Sequence, residues 1–239
     1  WNGRLWVVVG KGTSNSIIYS YNGINWYTGT YIFTTGGYGV AWNGTLWVAV
    51  GEGTNTIAYS YDGINWTGLG ITIFTTSGYG VTWNGTLWVG TGEGTNTIAY
   101  SYDGINWSGG GSTIFTYIGY GVAYNSLRSN SITFPTNRMV AVGNGTYTIE
   151  YSGDGIIWNE LDNTIFSTGY GVAWNGTLWV AVGEGTNTIA YSSNGIDWDG
   201  ISSVNSLFGS SGIGRGIAWN GTLWVAVGSG KKEIISSYD

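Results

Sequence analysis

The chain has 239 residues and a net charge of −6, and it contains neither histidine nor cysteine. Histidine-based catalytic triads, thiol chemistry, disulfides and the usual zinc sites are therefore excluded. Aromatic residues make up 16% of the chain, which argues against disorder. Charged residues make up only 8%, which argues against the basic patch that nucleic-acid binding requires. No apolar run is long enough to span a membrane, so we expect neither nucleic-acid binding nor membrane insertion.

The sequence is built from one repeat of about 41 residues. The triplet Trp-Asn-Gly begins at Trp1 and returns after steps of 41, 41, 91 and 45 residues. The step of 91 residues contains a degenerate copy, Tyr-Asn-Ser, that begins at Tyr124. We therefore predict a single domain over residues 1–239 with six repeats, bounded as 1–41, 42–82, 83–123, 124–173, 174–218 and a partial 219–239.

Each repeat has the pattern of four short β-strands. The runs "YGVAW" and "TLWVAVG" are joined by Asn-Gly, which predicts a hairpin with a type I′ turn, and both central residues of that turn need positive φ. The loop "GEGTNT" then leads into a third strand, "TIAYS", and the turn "YDG" precedes a short fourth strand that "INW" opens. The segment "TIFTTSG" leads to the next repeat. Four strands in this length are typical of a propeller blade.

The aromatic residues are confined to a few repeated positions, which is typical of a core built from equivalent units. All 15 Trp fall in three slots, and five of the six Phe share one slot. Helices are disfavoured because the segments are rich in glycine, β-branched and aromatic residues. The predicted fold class is all-β, a six-bladed β-propeller of four-stranded antiparallel blades with an incomplete last blade. An open array of β-hairpins is the alternative.

The partial last repeat bears on closure of such a ring. The residues absent after position 239 would supply the outer strand of the sixth blade and the inner strand of the first. Because proteins seldom leave strand edges unpaired, we expect the native chain to continue past one or both ends, or a neighbouring molecule to complete the ring. In either case residues 1–10 and 216–239 should pack as neighbouring blades at a seam.

The stretch "SYDGINW" occurs twice without change, and close variants of it stand in three further repeats. It resembles the Asp-box, or BNR, repeat of sialidase-like β-propellers, although that family has one more residue between Asp and Trp, and Asn22 and Asn194 replace the Asp here. In that family the motif is a structural turn between the third and fourth strands, away from the catalytic face. The resemblance thus implies a structural role for Ser60, Asp62, Gly63, Trp66, Ser101, Asp103, Gly104 and Trp107. The tandem array is also similar to predicted repeat proteins of giant DNA viruses.

The sialidase resemblance raises the alternative of a glycan hydrolase. A sialidase needs three arginines that bind a carboxylate, a Tyr–Glu nucleophile pair and an acidic proton donor. This chain has four arginines in all (Arg4, Arg128, Arg138 and Arg215) and no "FRIP"-like segment. The glutamates of the "GEG" slot recur in identical positions, which suits a ring of solvated loop residues better than an asymmetric acid–base pair. We expect no enzyme activity, no catalytic residue, no metal and no cofactor.

Binding is the better functional hypothesis. In a four-stranded blade, "WNGT" and "SYDG" share one face, whereas "GEGTNT" and "TTSGYG" share the other, around the channel mouth. The second set places polar groups beside aromatic rings, and its candidate ligand-binding residues are Glu52, Asn55, Tyr79, Glu93, Asn96, Tyr120, Glu184, Asn187 and Arg215. An ordinary turn role for these residues is the alternative.

The resulting functional hypothesis is a non-catalytic structural or recognition module, with an extracellular or virion surface favoured and a multivalent lectin as the alternative. Its partners would be a glycan or a protein surface, or further copies of the chain.

Two irregularities break the symmetry of the repeats. Residues 126–136 lengthen one loop of the fourth repeat, and Arg215 replaces the tyrosine of the "GYG" slot.

Overall fold

The computed structural model describes residues 1–125, 137–161, 165–202, 207–209 and 211–238. This part of the chain forms 22 β-strands and no helix, so none of its segments is a helix that could cross a membrane. Residues 126–136, which were predicted to lengthen one loop of the fourth repeat and which include Arg128, lie outside the described residues. The predicted all-β class is confirmed.

The strands pair in six antiparallel groups in chain order, which we call sheets 1 to 6, and four of these groups have four strands. A single residue pair, Glu52–Ser77, also links sheets 2 and 3. Sheet 1 contains β1 (Trp6–Val9), β2 (Ile17–Ser20) and β3 (Tyr27–Thr28). Sheet 2 contains β4 (Gly36–Trp42), β5 (Trp47–Glu52), β6 (Ile57–Ser60) and β7 (Thr67–Gly68). Sheet 3 contains β8 (Ser77–Trp83), β9 (Trp88–Glu93), β10 (Ile98–Ser101) and β11 (Ser108–Gly109).

The remaining sheets repeat this plan. Sheet 4 contains β12 (Ile118–Asn125), β13 (Arg138–Asn144), β14 (Ile149–Ser152) and β15 (Asn159–Glu160). Sheet 5 contains β16 (Thr168–Trp174), β17 (Trp179–Glu184), β18 (Asn187–Ser192) and β19 (Asp199–Ser202). Sheet 6 contains β20 (Ile213–Trp219), β21 (Trp224–Ser229) and β22 (Ile234–Ser237). The prediction of four short strands per repeat is therefore confirmed in sheets 2 to 5.

The chain divides into two compact units, Trp1–Ser112 with sheets 1 to 3 and Thr113–Asp239 with sheets 4 to 6. The predicted seam between residues 1–10 and 216–239 joins residues of different units and stays a prediction.

The hairpin between the first two strands of each repeat uses a different turn from the predicted one. Trp42 pairs with Trp47, and the side-chain oxygen of Asn43 accepts hydrogen bonds from the backbone N–H groups of Thr45 (2.9 Å) and Leu46 (2.7 Å). Gly44 has a φ of 105°, and among the described residues every positive φ belongs to a glycine. The type I′ prediction was wrong because the Asn side chain folds the loop itself, so Asn43 keeps a negative φ.

The five phenylalanines of the repeated slot are core residues. Phe33 is fully buried, and a Cβ added at Gly51 on the neighbouring strand β5 would lie 2.7 Å from its ring. The same arrangement recurs at Gly92, where an added Cβ would lie 2.5 Å from Phe74. These glycines thus leave space for the ring. The five residues of the slot are all buried: Phe33, Phe74, Phe115, Phe166 and Phe208.

The tryptophan slots differ in burial, so the expectation that all three slots form core was only partly right. The "LWV" tryptophans Trp47, Trp88, Trp179 and Trp224 are buried, whereas the "WNG" tryptophans Trp42, Trp83, Trp174 and Trp219 are half-buried. Trp42 is the last residue of β4, and its ring centroid is 5.0 Å from that of Trp47. It therefore covers the core Trp from the outside.

Candidate functional site

The turn between the third and fourth strands is held by a compact set of hydrogen bonds. The Ser60 hydroxyl accepts from the backbone N–H of Gly63 (2.9 Å) and donates to Asp62 Oδ1 (3.0 Å). Asp62 Oδ1 also accepts from the N–H groups of Ile64 and Asn65, at 2.8 Å each. Partial desolvation acts to raise the pKa of Asp62, but the bonds from Asn65, Ile64 and Ser60 outweigh it and lower the pKa to about 2.

Gly63 and Trp66 attach this turn to the core. Gly63 has a φ of 76°, and an added Cβ would lie 2.7 Å from Leu5 Cδ2 of the preceding sheet and 3.0 Å from Trp47 Nε1. The indole N–H of Trp66 donates to the Gly63 carbonyl at 3.2 Å. The same contacts recur at Ser101, Asp103, Gly104 and Trp107. All eight residues of the two motifs are thus engaged inside the fold.

At the other end of each sheet, the tyrosine of the "GYG" slot bonds to the glutamate of the "GEG" slot. The strand register shifts between Gly37 and Gly39, so Tyr38 stands at a β-bulge. Its hydroxyl donates to Glu52 Oε2 at 2.6 Å. We call these pairs the Tyr–Glu row, and its members are Tyr38–Glu52, Tyr79–Glu93 (3.1 Å) and Tyr170–Glu184 (3.0 Å).

Adjacent tyrosines of this slot also contact one another. Tyr38 and Tyr79 are stacked with ring centroids 5.3 Å apart and an interplanar angle of 19°. In the second unit, Tyr120 and Tyr170 are 4.9 Å apart, and the guanidinium carbon of Arg215 lies 5.2 Å from the Tyr170 ring centroid. Two tyrosines of the slot are therefore in ring contact in each unit, and in the second unit Arg215 adds a cation beside them.

The first strands of successive sheets approach closely beside this row. A Cβ added at Gly39 would lie 2.8 Å from the Tyr79 carbonyl oxygen, and one added at Gly121 would lie 3.1 Å from that of Tyr170. Glycine at this slot lets two backbones approach, which brings neighbouring tyrosine rings into contact.

The carboxylates raise the pKa of two tyrosine hydroxyls in the row. The hydrogen bond to Glu52, together with burial, raises the pKa of Tyr38 to about 12. Burial and then the hydrogen bond to Glu184 raise the pKa of Tyr170, although Arg215 acts in the opposite direction. These two phenols are donors to their carboxylates, and the second oxygen of each carboxylate can accept a hydrogen bond from a ligand.

The three candidate asparagines have roles inside the fold. Asn55 Nδ2 donates to the Ile32 carbonyl (3.0 Å), and its Oδ1 accepts from the Gly70 N–H (2.9 Å). Asn96 makes the equivalent pair of bonds, and Asn187 Nδ2 donates to the Ile165 carbonyl at 2.8 Å. These amides connect the second–third strand loop to neighbouring segments, which explains the residue type without a ligand.

The described arginines stand in different environments. Arg138 donates to the Asn194 carbonyl and lies over the Tyr151 ring, whereas Arg215 lies over Tyr170 and Arg4 is exposed in the first hairpin loop. The described residues also contain no group of three His, Cys, Asp or Glu suited to a metal ion.

Two features were not anticipated from the sequence. Tyr21, Tyr61 and Tyr102, the second residues of the third–fourth strand motif, are exposed, and the ring of Tyr61 meets that of Tyr59 edge-on with centroids 6.0 Å apart.

Glu150 is fully buried on β14, in the slot where the other four-stranded sheets have alanine. Burial, and then the negative charge of Glu160 across the strand pair, raise its pKa to about 8. The sequence signal for this buried glutamate is that the third strand of the fourth repeat reads "TIEYS" and not "TIAYS".

The comparisons with known proteins concern the fold. No family model and no curated protein matches the chain. Among solved structures, the chain is similar to one in a Nidogen/Laminin complex (TM-score 0.64, 11% identity, 93% of this chain and 85% of that one). It is also similar to the computationally designed Ika8 protein (TM-score 0.57, 12% identity, 98% and 82%).

A third similar structure is the Niastella koreensis GH74 enzyme (TM-score 0.57, 15% identity). The match covers 99% of this chain and only 36% of the enzyme. Identities this low carry information on fold alone. Together with the repeated four-stranded sheets, these similarities show that the chain has a β-propeller-like, all-β fold.

Proposed function

We propose that the chain is a six-bladed β-propeller that serves as a non-catalytic structural or recognition module. Sheets 2 to 5 have the four antiparallel strands of a blade, and sheets 1 and 6 have three among the described residues. Within each unit, glycines bring the first strands of successive sheets together, as strands around a propeller axis require. The Asp-box assignment is part of this proposal, and it is supported by the motif's position between the third and fourth strands.

The observation that carries the recognition role is the Tyr–Glu row. Its pairs have the same geometry in three sheets, whereas catalysis usually places different groups around one reacting atom. The tyrosines are held by stacking and by their carboxylates, so the surface is preorganised. A repeated, rigid, aromatic and acidic surface suits multivalent contact with a protein or a glycan.

A lectin is the second candidate function. Tyrosine rings can stack on sugar faces, and the free lone pairs of Glu52, Glu93 and Glu184 can accept from sugar hydroxyls. The row also contains the Tyr–Glu pairs that a sialidase would need. However, a Tyr38 pKa near 12 does not favour a nucleophilic phenolate, and one described arginine, Arg215, lies beside the row. These points support binding over hydrolysis.

A glycan array and a fluorogenic sialoside assay test the two candidates together. We expect no turnover of the sialoside by the wild-type protein. Any glycan signal should fall in the Tyr79→Phe and Glu93→Gln variants and should persist in Tyr102→Phe, which alters an exposed tyrosine of the other turn. Turnover that Glu93→Gln abolishes would contradict the non-catalytic role. A signal lost only in Tyr102→Phe would move the binding surface to the third–fourth strand turn.

Closure of the ring is tested separately by small-angle scattering. A compact chain of this length has a radius of gyration of about 18 Å. An open array of sheets would be clearly larger.

A further inference from the structure

The Tyr–Glu row carries different charges in the two units. In the first unit, the two tyrosines of the slot are both bonded to glutamates, in the pairs Tyr38–Glu52 and Tyr79–Glu93. In the second unit, Asn144 stands in one glutamate position and Arg215 stands in one tyrosine position. The first unit therefore has two neighbouring carboxylates in the row, whereas the second unit has one carboxylate and a guanidinium.

The two carboxylates of the first unit belong to one compact patch. Ser77 pairs with Glu52 on one side and with Glu93 on the other, so the two glutamates stand on strands that are about 10 Å apart. Both side chains are half-buried, and each accepts a hydrogen bond from the hydroxyl of its tyrosine. The oxygen that each carboxylate leaves for a ligand is an acceptor, and two negative charges at this distance favour a cationic donor.

The second unit shows which cation is compatible with the row. The guanidinium carbon of Arg215 lies 5.2 Å from the ring centroid of Tyr170, and the Tyr170 hydroxyl donates to Glu184 at 3.0 Å. The positive charge of Arg215 acts to lower the pKa of Tyr170, against the larger effects of burial and of Glu184. An arginine side chain thus already lies beside one Tyr–Glu pair of the row.

The first unit has no such internal cation at its Tyr–Glu pairs. The hydrogen bond to Glu52 and burial raise the pKa of Tyr38 to about 12, and the charges of Glu52 and Tyr79 act in the same direction. Of the two basic residues in this unit, Lys11 is exposed and Arg4 is exposed in the first hairpin loop. A guanidinium from another molecule can therefore take the role that Arg215 has in the second unit.

We propose that Glu52 and Glu93, with their tyrosines, bind arginine side chains of a basic segment in a partner protein, an inference that rests on the recognition role proposed above. Each guanidinium donates to the carboxylate oxygen that the tyrosine leaves free, in a charge-assisted hydrogen bond. An extended segment with arginine at alternate positions presents these side chains on one side, about 7 Å apart, and their length lets two of them reach both carboxylates. The net charge of −6 favours the same partner.

A labelled peptide tests this proposal. The probe is the peptide GRGRGRG with an uncharged fluorophore, and its anisotropy is followed on titration with the intact protein. The control peptide has citrulline in place of arginine, which keeps the shape and removes the charge. Glu93→Gln removes one carboxylate of the patch. Its matched control is Asp62→Asn, which removes the same charge from an exposed turn at the other end of sheet 2, where Asn22 and Asn194 stand in the equivalent slots. Circular dichroism checks that both variants fold.

We expect saturable binding that weakens at least about threefold with Glu93→Gln and less than about twofold with Asp62→Asn. Citrulline should weaken it at least about tenfold, and added NaCl should weaken it too. Equal effects of the two variants, retained binding of the citrulline peptide, or no binding below about 1 mM would overturn the proposal. Loss of binding in Arg215→Ala would also overturn it, since the row would then recognise an acceptor and not a cation.

The glycan array described above separates failure of this inference from failure of the recognition role. A glycan signal that Glu93→Gln removes, together with no binding of the arginine peptide, would overturn this inference and leave the recognition role standing. Peptide binding that requires Glu93, without a glycan signal, would support both and would identify the partner as a protein. Neither a glycan signal nor peptide binding would count against both.

Discussion

Sheets 1 and 2 carry nearly the same sequence in two different surroundings. Trp47 of sheet 2 is 2% exposed and its equivalent in sheet 1, Trp6, is 43% exposed. Trp66 is 6% exposed and its equivalent, Trp26, is 40% exposed. Burial of the repeated tryptophans is thus a property of their surroundings and not of the motif.

The turn itself is the same in both sheets. In sheet 1, the Ser20 hydroxyl accepts from the Gly23 N–H at 2.8 Å, and Asn22 Oδ1 accepts from the N–H groups of Ile24 (2.9 Å) and Asn25 (2.8 Å). These distances match those around Ser60 and Asp62. Local hydrogen bonds therefore form the turn in both sheets. In sheet 2, Leu5 and Val7 of the preceding sheet also bury Trp66, the tryptophan of the turn.

The largest difference between the two sheets is expected for their fourth-strand tryptophans. Trp66→Ala should lower the free energy of unfolding by about 3–5 kcal/mol because it leaves a large cavity. Trp26→Ala should lower it by about 1 kcal/mol, since that side chain is partly solvated. Urea unfolding of both variants measures this difference. Equal effects would mean that the exposed and buried sites are energetically alike, and a near-zero effect at Trp66 would indicate an exposed ligand platform.

The glycines of the turn should show a smaller difference. Both have positive φ, so an alanine at either position has a backbone cost of about 1–2 kcal/mol. At Gly63 the new Cβ would also lie 2.7 Å from Leu5, whereas at Gly23 the nearest atom is 3.6 Å away. Gly63→Ala should therefore destabilise by about 1–3 kcal/mol more than Gly23→Ala, as measured by unfolding. A larger loss in Gly23→Ala would contradict the packing described for the second sheet.

Removal of the capping side chains should destabilise the two sheets equally. Asp62→Ala and Asn22→Ala each remove a side chain that accepts two backbone N–H groups, so each should cost about 1 kcal/mol. Ligand binding should be unaffected by Asp62→Ala. Loss of binding without loss of stability would place a functional surface on this side of the sheets.

The smallest expected effect is on the acid stability. The pKa of Asp62 is about 2 in the folded protein, below its ordinary value of 3.8. A lowered pKa stabilises the fold above the unfolded value, and this contribution is lost as the pH falls from about 4 to 2. Because Asp62 is exposed, the effect should not exceed about 1 kcal/mol. Asp62→Asn should lose less stability over this pH range than the wild type, and Asn22→Asp should lose more; the reverse order would refute the assigned hydrogen bonds.

Several features could be predicted from the sequence because they depend on local chemistry. The Phe slot, the four strands of a repeat and the turn after "TIAYS" follow from residue periodicity and from glycine and aspartate at fixed offsets. The "WNG" turn was read incorrectly because Asn-Gly is compatible with two geometries. The side chain of Asn43 selects one of them, and the dipeptide alone does not reveal it.

Other features depend on register, which the sequence pattern does not contain. Tyr79 and Glu93 were both predicted as candidate ligand-binding residues, but their pairing requires the β-bulge that offsets the two strands. The internal roles of Asn55 and Asn96 depend on segments that are distant in sequence, and sheet-to-sheet contact determines which tryptophans are buried. The candidate binding residues could thus be identified from their repeated positions, but their arrangement in space could not.

Native-state hydrogen exchange tests most directly the claim that the motif is architecture completed by a neighbouring sheet. The measurement compares the Gly63 amide, which is buried with its bond to Ser60, and the Gly23 amide, which makes the same bond in an exposed turn. We expect Gly63 to exchange with a protection free energy close to that of global unfolding and Gly23 to exchange far faster. Equal protection of the two amides would contradict this account.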